Sequence, residues 1–487
     1  MKTDIDGLSA CLFKNCCQSL VKPLQLLFNR SLNTGQFLSD WKISSISPVL
    51  KSGNKNNIMN YRPISKLSTV AKLFESIVKK KIFFAVKSLI SSSQHGFVPC
   101  RSKVTNLACF SEFCISAFHD GCQVDTVYTD FSKAFDKVSH SLLLMKLAKL
   151  GFHSVLLKWF GSYLVDRKSF VNIENYNSPL FLVTSGVPQG SILGPLLFLL
   201  FINDITNVVR HSKCLLFADD LKIFLKIRNF SDSVLILSDI NAVHSWCARN
   251  RLYLNIDKCM YARYTKSNCP IPTSYFLADV PLTCAKEVKD LGVIFDTKFS
   301  FVGHLDYIIP KSYALLAFMR RNCVNFLDAY TLKSIFVSTV RSKLEYASFI
   351  WSPFYVVHIL RLERVQKSFV RFELRELNFD DPTPSYYSRC LLIHLKSLKN
   401  RRMIASLLFI FDLVSSKIDC PSLLELINFN VPSRMLRRSD IFYLETYTTN
   451  YAINSPIYRA LSNFNLLASK CNVDFSVPKL AMKRLLN

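Results

Sequence analysis

Two adjacent aspartates, Asp219 and Asp220, stand between two apolar runs in the segment LLFADDLKIFL (215–225). The flanking runs alternate and are rich in Leu, Ile and Phe, a pattern typical of half-buried strands, which places the carboxylates at the tight turn of a β-hairpin. Like charges so close together repel each other unless a cation is present. Asp-Asp is also a common polar turn dipeptide, so the pair alone does not distinguish a metal site from a turn.

A third carboxylate, Asp130, ends another apolar strand in VYTDFSKAFD (127–136). Carboxylates at the ends of neighbouring strands can hold two Mg²⁺ ions about 3.5–4 Å apart, with Mn²⁺ as the substitute ion. That arrangement drives in-line phosphoryl or nucleotidyl transfer. The three acids therefore predict a two-metal centre, provided that their strands lie side by side.

The elements before these strands suggest a basic hairpin. A strand over 43–50 is followed by the polar turn KSGNKNN (51–57) and by NYRPISKLS (60–68), which places Lys51 and Arg62 near the tip or flank of the hairpin. A helix then follows, capped by Ser68 or Thr69, with an apolar face through Val70, Leu73, Phe74, Ile77 and Val78. Four lysines on its other face are either a solvated surface or a nucleic-acid contact.

From residue 124 onward, strand and helix patterns alternate. A strand at 124–131 precedes a helix that ends at Gly151, and the apolar run 192–202 predicts a buried helix too short to span a bilayer. Beyond residue 300 the patterns are mostly helical. The fold class is therefore expected to be α+β, with an antiparallel sheet followed by an all-helical tail.

Composition limits the function. The 487 residues carry 61 Lys and Arg against 35 Asp and Glu, a formal net charge of +26, which implies a polyanionic partner for a folded chain. A basic membrane-surface protein is the alternative, and the sequence gives it little support. Neither a signal peptide nor a membrane-spanning run is visible. The 16 cysteines show no zinc-type spacing and are expected to be reduced core residues of an intracellular protein, nuclear or cytoplasmic.

Six ordered segments resemble a known family. YTDFSKAFD, SGVPQGSILGP and FADD are similar to the central palm motifs of a reverse transcriptase, and NYRPIS, NIDKC and KDLGVIFD resemble further blocks of that domain. The nearest likeness is to polymerases of non-LTR retrotransposons of the jockey type. It covers about residues 40–300 strongly and most of the tail weakly.

The resemblance implies roles for the acidic residues. Asp130 matches the first metal-binding aspartate, and the backbone carbonyl of Phe131 is an additional oxygen ligand. Asp219 matches the carboxylate that bridges both Mg²⁺ ions, and Asp220 matches its less critical neighbour. Asp136, six residues after Asp130, is expected to have a structural role such as capping the following helix.

The resemblance also implies a pocket for the incoming deoxynucleotide. Phe135 matches the aromatic gate that excludes a ribose 2′-hydroxyl, although one of 39 phenylalanines could also be a core residue. Gln189 matches the residue that lines the nucleotide and the template base. Arg62 matches a triphosphate clamp, with Lys51 as a second candidate, and Lys258 matches a general acid for the leaving pyrophosphate. Solvated surface charges are the alternative for both lysines.

The implied architecture is a right hand. Residues 1–39 form a helical lead-in, 40–300 the fingers and palm, 301–370 a helical thumb and 371–487 a helical C-terminal region. KDLGVIFD (289–296) resembles the primer grip. Arginine pairs in NRRMIASLLFIFDLV and VPSRMLRRSD either contact template RNA or face solvent.

The implied activity is RNA-directed DNA synthesis from an RNA template, a DNA primer and dNTPs, as part of a retrotransposon. With Met1 close to the fingers segment, an endonuclease is expected to be supplied elsewhere if the element is mobile. A truncated nucleic-acid-binding remnant without catalysis is the alternative. An intron maturase or an RNA-templated RNA polymerase is a third possibility, and Phe135 speaks against ribonucleotide use.

Overall fold

A computed structural model of the chain describes residues 4–51, 53–174, 176–323, 328–376, 385–431, 440–469 and 475. The helices are α1 Ala10–Asn15, α2 Cys17–Thr34, α3 Thr69–Val86, α4 Lys103–His119, α5 His140–Lys149, α6 Ser154–Leu164, α7 Gly194–Ile202, α8 Phe230–Asn250, α9 Val302–Asn322, α10 Ala329–Ile335, α11 Ser342–Glu345, α12 Ser348–Trp351, α13 Val356–Glu376, α14 Tyr386–Leu392, α15 Leu398–Val414, α16 Pro421–Leu424, α17 Asn450–Ile453 and α18 Pro456–Ala468. The strands are β1 Ile43–Leu50, β2 Tyr61–Lys66, β3 Gln123–Thr129, β4 Arg167–Ile173, β5 Tyr176–Asn177, β6 Phe181–Val183, β7 Lys213–Phe217, β8 Asp220–Ile227, β9 Met260–Tyr264, β10 Phe276–Leu277, β11 Val280–Pro281, β12 Thr283–Cys284, β13 Glu287–Asp290, β14 Val293–Asp296, β15 Asn428–Phe429 and β16 Phe442–Tyr443.

The central sheet has the strand order β12-β9-β3-β8-β7. Pairing is antiparallel between β3 and β8, β3 and β9, and β7 and β8, and only β12 joins its neighbour β9 in parallel. The sheet is therefore antiparallel almost throughout, as the sequence predicts. It brings the end of β3 next to the turn between β7 and β8.

Helices cover both faces of this sheet. Successive side chains of a strand point to opposite faces, and in β3 Val124 packs into one apolar core while Val127 packs into the other. Phe110 of α4 lies in the first core and Phe198 of α7 in the second, both with no exposed surface. Burial on both faces stabilises the strands that carry the acidic residues.

A smaller sheet lies before the central one. β1 pairs antiparallel with β2, so that Val49 lies opposite Arg62, and β1 also pairs in parallel with β4. The expected hairpin over 43–68 is confirmed. Lys51 follows β1 directly, and its N–H donates to the carbonyl of Asn60 at 2.8 Å.

Helix α3 forms as predicted, but with a different buried face. Leu73 and Ile77 are 41% and 46% exposed, whereas Ala71, Phe74 and Glu75 are buried. Phe74 and Val78 of the predicted face are buried, and beside them the Glu75 carboxylate bonds to the backbone before α7 rather than to water. The capping prediction was also wrong. The Ser68 side chain makes no cap, and Asp4 Oδ2 accepts from the N–H of Thr69 at 2.7 Å.

The apolar run at 192–202 forms α7, which is buried along almost its whole length, as predicted. Pro195 lies in its first turn, where a missing N–H costs no helical hydrogen bond. Among the helices in the described part of the chain, none combines the length and the apolar character that crossing a bilayer requires.

The prediction of an all-helical tail was wrong in one place. β15 and β16 form a short antiparallel ribbon, and the Asn465 side chain of α18 bonds to both the N–H and the carbonyl of Phe442. That side chain takes the place of a neighbouring strand, which local sequence patterns do not reveal. The expected boundary at 370/371 falls inside α13, which continues to Glu376.

The predicted arginine pairs of the tail have different outcomes. Arg401 Nη2 lies 2.8 Å from Glu345 Oε2, and Arg402 is only 3% exposed. Arg401 therefore joins α15 to Glu345 of α11, and Arg402 is buried, so it does not present a basic surface. Arg434, Arg437 and Arg438 lie outside the described residues.

Candidate active site

The Asp-Asp pair lies at the turn that the sequence predicts. Phe217 and Asp220 are the last paired residues of β7 and β8, which leaves Ala218 and Asp219 as a two-residue turn. Ala218 has φ 59°, in the left-handed region that non-glycine residues rarely adopt. Hairpin turns of two residues require positive φ, so this geometry projects the Asp219 carboxylate beyond the edge of the sheet.

Asp130 follows β3 directly and is brought to the same edge. Thr129 lies opposite Leu221 in the last pair of β3 and β8. Asp130, which follows Thr129, therefore lies beside the turn that precedes Leu221. The carbonyl of Asp130 accepts from the N–H of Asn255 at 2.7 Å, and this bond fixes the backbone where the strand ends. The predicted meeting of Asp130 with Asp219 and Asp220 is therefore present.

The pKa shifts of the aspartates follow from carboxylates that lie near one another. Desolvation raises the pKa of Asp219, the Asp130 carboxylate raises it further, and the cations of Arg62 and Lys51 lower it. Desolvation and repulsion from Asp219 and Asp290 raise the pKa of Asp220 to about 6. Desolvation is the largest cause of this shift, and repulsion from the neighbouring carboxylates adds to it.

The donor set fits hard divalent cations. Carboxylate oxygens are the ligands that Mg²⁺ prefers, and a divalent cation would relieve the repulsion that raises both pKa values. Phe131 adds a backbone carbonyl. Phe131 lies opposite Leu254 in an isolated antiparallel bridge. The hydrogen bonds of this bridge are made by its neighbours, the N–H of Ser132 and the carbonyl of Asp130. The Phe131 carbonyl therefore points away from Leu254.

Arg62 and Lys51 lie on the β1–β2 hairpin, near the carboxylates. Both side chains are exposed, and both are close enough to lower the pKa of Asp219. On the opposite wall, the Lys133 ammonium approaches the sulfur of Met59 at 3.9 Å, so the hairpin reaches the loop after Asp130. Cations therefore face the carboxylates across a gap in which a polyphosphate would be held.

Phe135 and Gln189 are joined through the turn that contains Gln189. Val187 N–H donates to the Phe135 carbonyl at 2.8 Å. The Phe135 ring is half-buried and stacks on Phe198 with ring centroids 4.3 Å apart. Gly190 has φ 132°, and a Cβ there would lie 2.3 Å from the Ser65 carbonyl oxygen of β2. The turn therefore packs backbone to backbone against the hairpin.

Asp136 does not cap a helix, which corrects that expectation. Its Oδ1 accepts from Gln189 Nε2 at 2.8 Å, while α5 begins four residues later, after Ser139. The structural role is therefore to hold the Gln189 amide. Six residues separate Asp136 from Asp130, and the intervening residues form a turn, so the two acids do not share a strand face.

Lys258 lies beside the first aspartate. Its Nζ is 3.5 Å from Asp130 Oδ2, and its side chain is 60% exposed. The ion pair brings the ammonium to the carboxylate cluster. An exposed pair of this kind contributes little stability.

Gln94 is a site residue that the sequence analysis missed. Its Oε1 accepts from Ala218 N–H at 3.0 Å and from Gly96 N–H at 2.8 Å, and the side chain is 3% exposed. A Cβ on Gly96 would lie 2.2 Å from Ala218 N, so glycine is required for this close approach. Gln94 thus holds the turn that carries Asp219. A glutamine in a polar segment looks like a surface residue, and its burial becomes evident only from the fold.

Glu75 was also missed. Its Oε2 accepts from the N–H groups of Ile192 and Leu193 at 2.6 and 3.1 Å, at the start of α7. Burial raises the pKa of Glu75, and the two amides lower it. A charged residue on the apolar face of α3 was the available signal. The contact fixes α7, on which Phe135 stacks.

A buried ion pair lies behind the turn. Lys222 Nζ of β8 is 2.5 Å from Asp290 Oδ2, and both side chains are less than 8% exposed. The pair attaches the β13–β14 hairpin, which forms over the predicted 289–296 segment, to the strand that begins with Asp220. Asp290 is therefore a fourth carboxylate near the cleft, neutralised by its own lysine.

One family model and several curated proteins match this chain. Residues 51–295, about half of the chain, match the family model described as reverse transcriptase (RNA-dependent DNA polymerase). A probable RNA-directed DNA polymerase from transposon BS of Drosophila melanogaster is 28% identical over 63% of this chain and 36% of its own length. The RNA-directed DNA polymerase from mobile element jockey of the same species is 27% identical over 58% and 32%.

The chain spans about a third of the length of these curated relatives. The probable polymerase from transposon X-element of Drosophila melanogaster is 28% identical, over 72% of this chain and 39% of that protein. A structure of apo telomerase from Candida tropicalis, truncated from its C-terminal domain, overlaps 54% of this chain at 13% identity with a TM-score of 0.37. On the family match, which contains every acidic residue of the cleft, the chain belongs to the reverse transcriptase family.

Proposed function

We propose that the chain is an RNA-directed DNA polymerase that extends a DNA primer with dNTPs on an RNA template, as part of a non-LTR retrotransposon. The observation that carries this proposal is the convergence of Asp130 and Asp219 at one edge of the central sheet, where the Arg62 cation is close enough to lower the pKa of Asp219. Relatives in the same family are named as RNA-directed DNA polymerases of mobile elements.

In this proposal Asp130, Asp219, Asp220 and the Phe131 carbonyl hold two Mg²⁺ ions, for which Mn²⁺ can substitute. When bound, the ions would acidify the primer 3′-hydroxyl and stabilise negative charge on the leaving pyrophosphate. Asp219, at the apex of the turn, is the indispensable ligand, and the more exposed Asp220 is the supporting one.

The surrounding side chains bind and orient the nucleotide. Arg62 and Lys51 hold the triphosphate opposite the carboxylates, since both charges already act on Asp219. Gln189, held by Asp136, lines the nascent base pair. The Phe135 ring, held by its stack on Phe198, lies under the sugar and excludes a 2′-hydroxyl. Stacking on a buried helix gives the ring the rigidity that a steric gate needs.

Lys258 is the proposed proton donor to the pyrophosphate. Its ammonium lies beside Asp130 and remains open to solvent, so it can reach a leaving group in the cleft. Lys258 can be both the counter-ion of Asp130 and the proton donor, because metal ions bound to the Asp130 carboxylate would release the Lys258 ammonium.

The proposed right-hand layout follows the elements. Residues 1–39 are a helical lead-in, and 40–300 form the fingers, with the β1–β2 hairpin, and the palm, with the central sheet. Residues 301–370 form a thumb, and 371–487 form a C-terminal region that continues from the last thumb helix. The net charge of +26 suits an RNA template and a DNA primer. The proposed location is intracellular, in the nucleus or cytoplasm. Nicking of the target DNA needs an endonuclease.

Primer extension on the purified chain tests the proposal. A DNA primer annealed to RNA should gain nucleotides only when dNTPs and Mg²⁺ are both present, and Asp219→Asn should abolish extension. Salt-dependent RNA binding without any incorporation by the wild-type chain would instead support a nucleic-acid-binding remnant.

A further inference from the structure

Three metal-binding side chains converge outside the active site. One ring nitrogen of His95 and the sulfurs of Cys109 and Cys420 lie within 4.8 Å of one another. His95 and Cys420 are 2% and 5% exposed, and Cys109 is half-buried. They come from the segment before α4, from α4 itself and from the start of α16. More than 300 residues separate the first from the last, so no linear spacing could reveal them.

The two sulfurs are close to the separation that a shared zinc ion imposes. Cys109 Sγ lies 3.4 Å from Cys420 Sγ. Two thiolates at 2.3 Å from a tetrahedral zinc ion are separated by about 3.8 Å, so a shift of a few tenths of an ångström is enough. Ser422 Oγ lies 3.3 Å from Cys109 Sγ and 3.6 Å from Cys420 Sγ, which adds a polar group at the same place.

Hydrogen bonds fix the tautomer of His95. Thr105 Oγ1 donates its proton to the Ser102 carbonyl at 2.7 Å, so it can only accept from His95 Nδ1, which lies 2.8 Å away. The Nδ1 atom therefore carries the ring hydrogen, and Nε2 retains a lone pair. Metal-bound histidines are oriented in this way, with the second nitrogen donating to an oxygen.

The local charges favour the forms that bind metals. Burial and the nearby Arg101 lower the pKa of His95 to about 3, so the ring is neutral at physiological pH. A hydrogen bond from Cys109 lowers the pKa of the Cys420 thiol to about 7, which favours its thiolate. The same hydrogen bond and burial raise the pKa of Cys109, so that thiol would release its proton only on binding the metal. A neutral imidazole and a thiolate are the states in which these side chains coordinate a metal ion.

We propose that His95 Nε2, Cys109 Sγ and Cys420 Sγ form a zinc site, with water as the fourth ligand. Two cysteines and one histidine with an open position are a known zinc ligand set. The site is separate from the magnesium-binding carboxylates and uses softer ligands.

The site links the C-terminal region to the active-site turn. His95 N–H donates to the Leu216 carbonyl of β7 at 2.9 Å, and its neighbour Gln94 holds Ala218. Arg101 already connects the same regions, with Nη2 at 3.1 Å from Asp419 Oδ2. A bound zinc ion would cross-link α4, the segment 93–96 and the start of α16, and would stabilise the folded chain by its binding free energy.

Metal analysis of the full-length chain tests the site. Each protein carries Asp219→Asn, which removes one of the proposed active-site ligands and weakens metal binding there. It is purified without chelators and equilibrated with zinc. Elemental mass spectrometry should find stoichiometric zinc in this background, and the Cys109→Ser and Cys420→Ser variants should lose it. Cys114→Ser, a buried cysteine of the same helix, is the matched control and should retain it.

Cobalt substitution and thermal unfolding provide a second measurement. Cobalt(II) in place of zinc should give thiolate-to-metal charge-transfer absorption, and zinc should raise the Tm of the chelator-treated Asp219→Asn chain but not of Cys109→Ser. Substoichiometric zinc, equal losses in Cys109→Ser and Cys114→Ser, or a Cys109–Cys420 disulfide in the metal-free protein would each overturn the proposal.

Discussion

Replacing Gln94 by Leu tests how the turn that carries Asp219 is held. Leucine has a similar volume and leaves no large cavity, but it removes the acceptor of the Ala218 and Gly96 amides. Each buried amide that loses its partner costs about 1–3 kcal/mol. We therefore expect the free energy of unfolding to fall by roughly 2–4 kcal/mol, allowing for partial relaxation.

The functional effect of Gln94→Leu should exceed its effect on folding. Ala218 precedes Asp219, and a displacement of about 1 Å at a reacting centre costs on the order of 100-fold in rate. We expect dNTP incorporation to fall about 10- to 100-fold at temperatures where the variant is folded. Hydrogen exchange should show faster exchange of the Ala218 amide.

Urea unfolding, hydrogen exchange and primer extension measure these effects on the same preparation. Gln18→Leu is the control, since Gln18 is an exposed residue of α2. If Gln94→Leu unfolds at the wild-type urea concentration and incorporates dNTPs at the wild-type rate, the turn does not depend on Gln94.

Two further predictions concern the nucleotide and the cations. Phe135→Val should admit ribonucleotides and raise the ratio of rNTP to dNTP incorporation, measured by single-nucleotide extension. An unchanged ratio would show that Phe135 does not select the sugar. In the folded chain the pKa of Asp220 is raised to about 6. In metal-free buffer the free energy of unfolding should therefore fall as pH rises from about 4 through 6, because the folded chain keeps a proton that the unfolded chain releases. Mg²⁺ relieves this repulsion, so its increase in Tm should be larger at pH 8 than at pH 5.5, and an equal increase would contradict a carboxylate site.

The positions of residues that flank alternating apolar runs or turn sequences were predictable from the sequence. Alternating apolar runs placed Asp130 and Asp219 at strand ends, and the basic turn placed Arg62 on a hairpin. Strand periodicity and turn chemistry are local properties, so they can be read without the fold. Family motifs supplied the roles of Phe135 and Gln189, which no local pattern distinguishes from core or surface residues.

Residues whose partners are distant in sequence were not predictable. Glu75 is buried because its carboxylate meets the start of α7, more than 110 positions later. Gln94 and Asp136 are polar side chains whose partners are fixed only by the packing of other elements. The prediction of helix throughout the tail missed the β15–β16 ribbon, because Asn465 stabilises this ribbon and its strands have no local sequence signal.

Single-turnover incorporation of one dNTP on a primed RNA template tests the two-metal account most directly. The comparison is between wild type, Asp219→Asn and the control Asp279→Asn, which makes the same chemical change in an exposed turn of the β10–β11 hairpin. The account predicts Mg²⁺-dependent extension by wild type and Asp279→Asn and none by Asp219→Asn. Equal extension by Asp219→Asn and wild type, at any Mg²⁺ concentration, would contradict it.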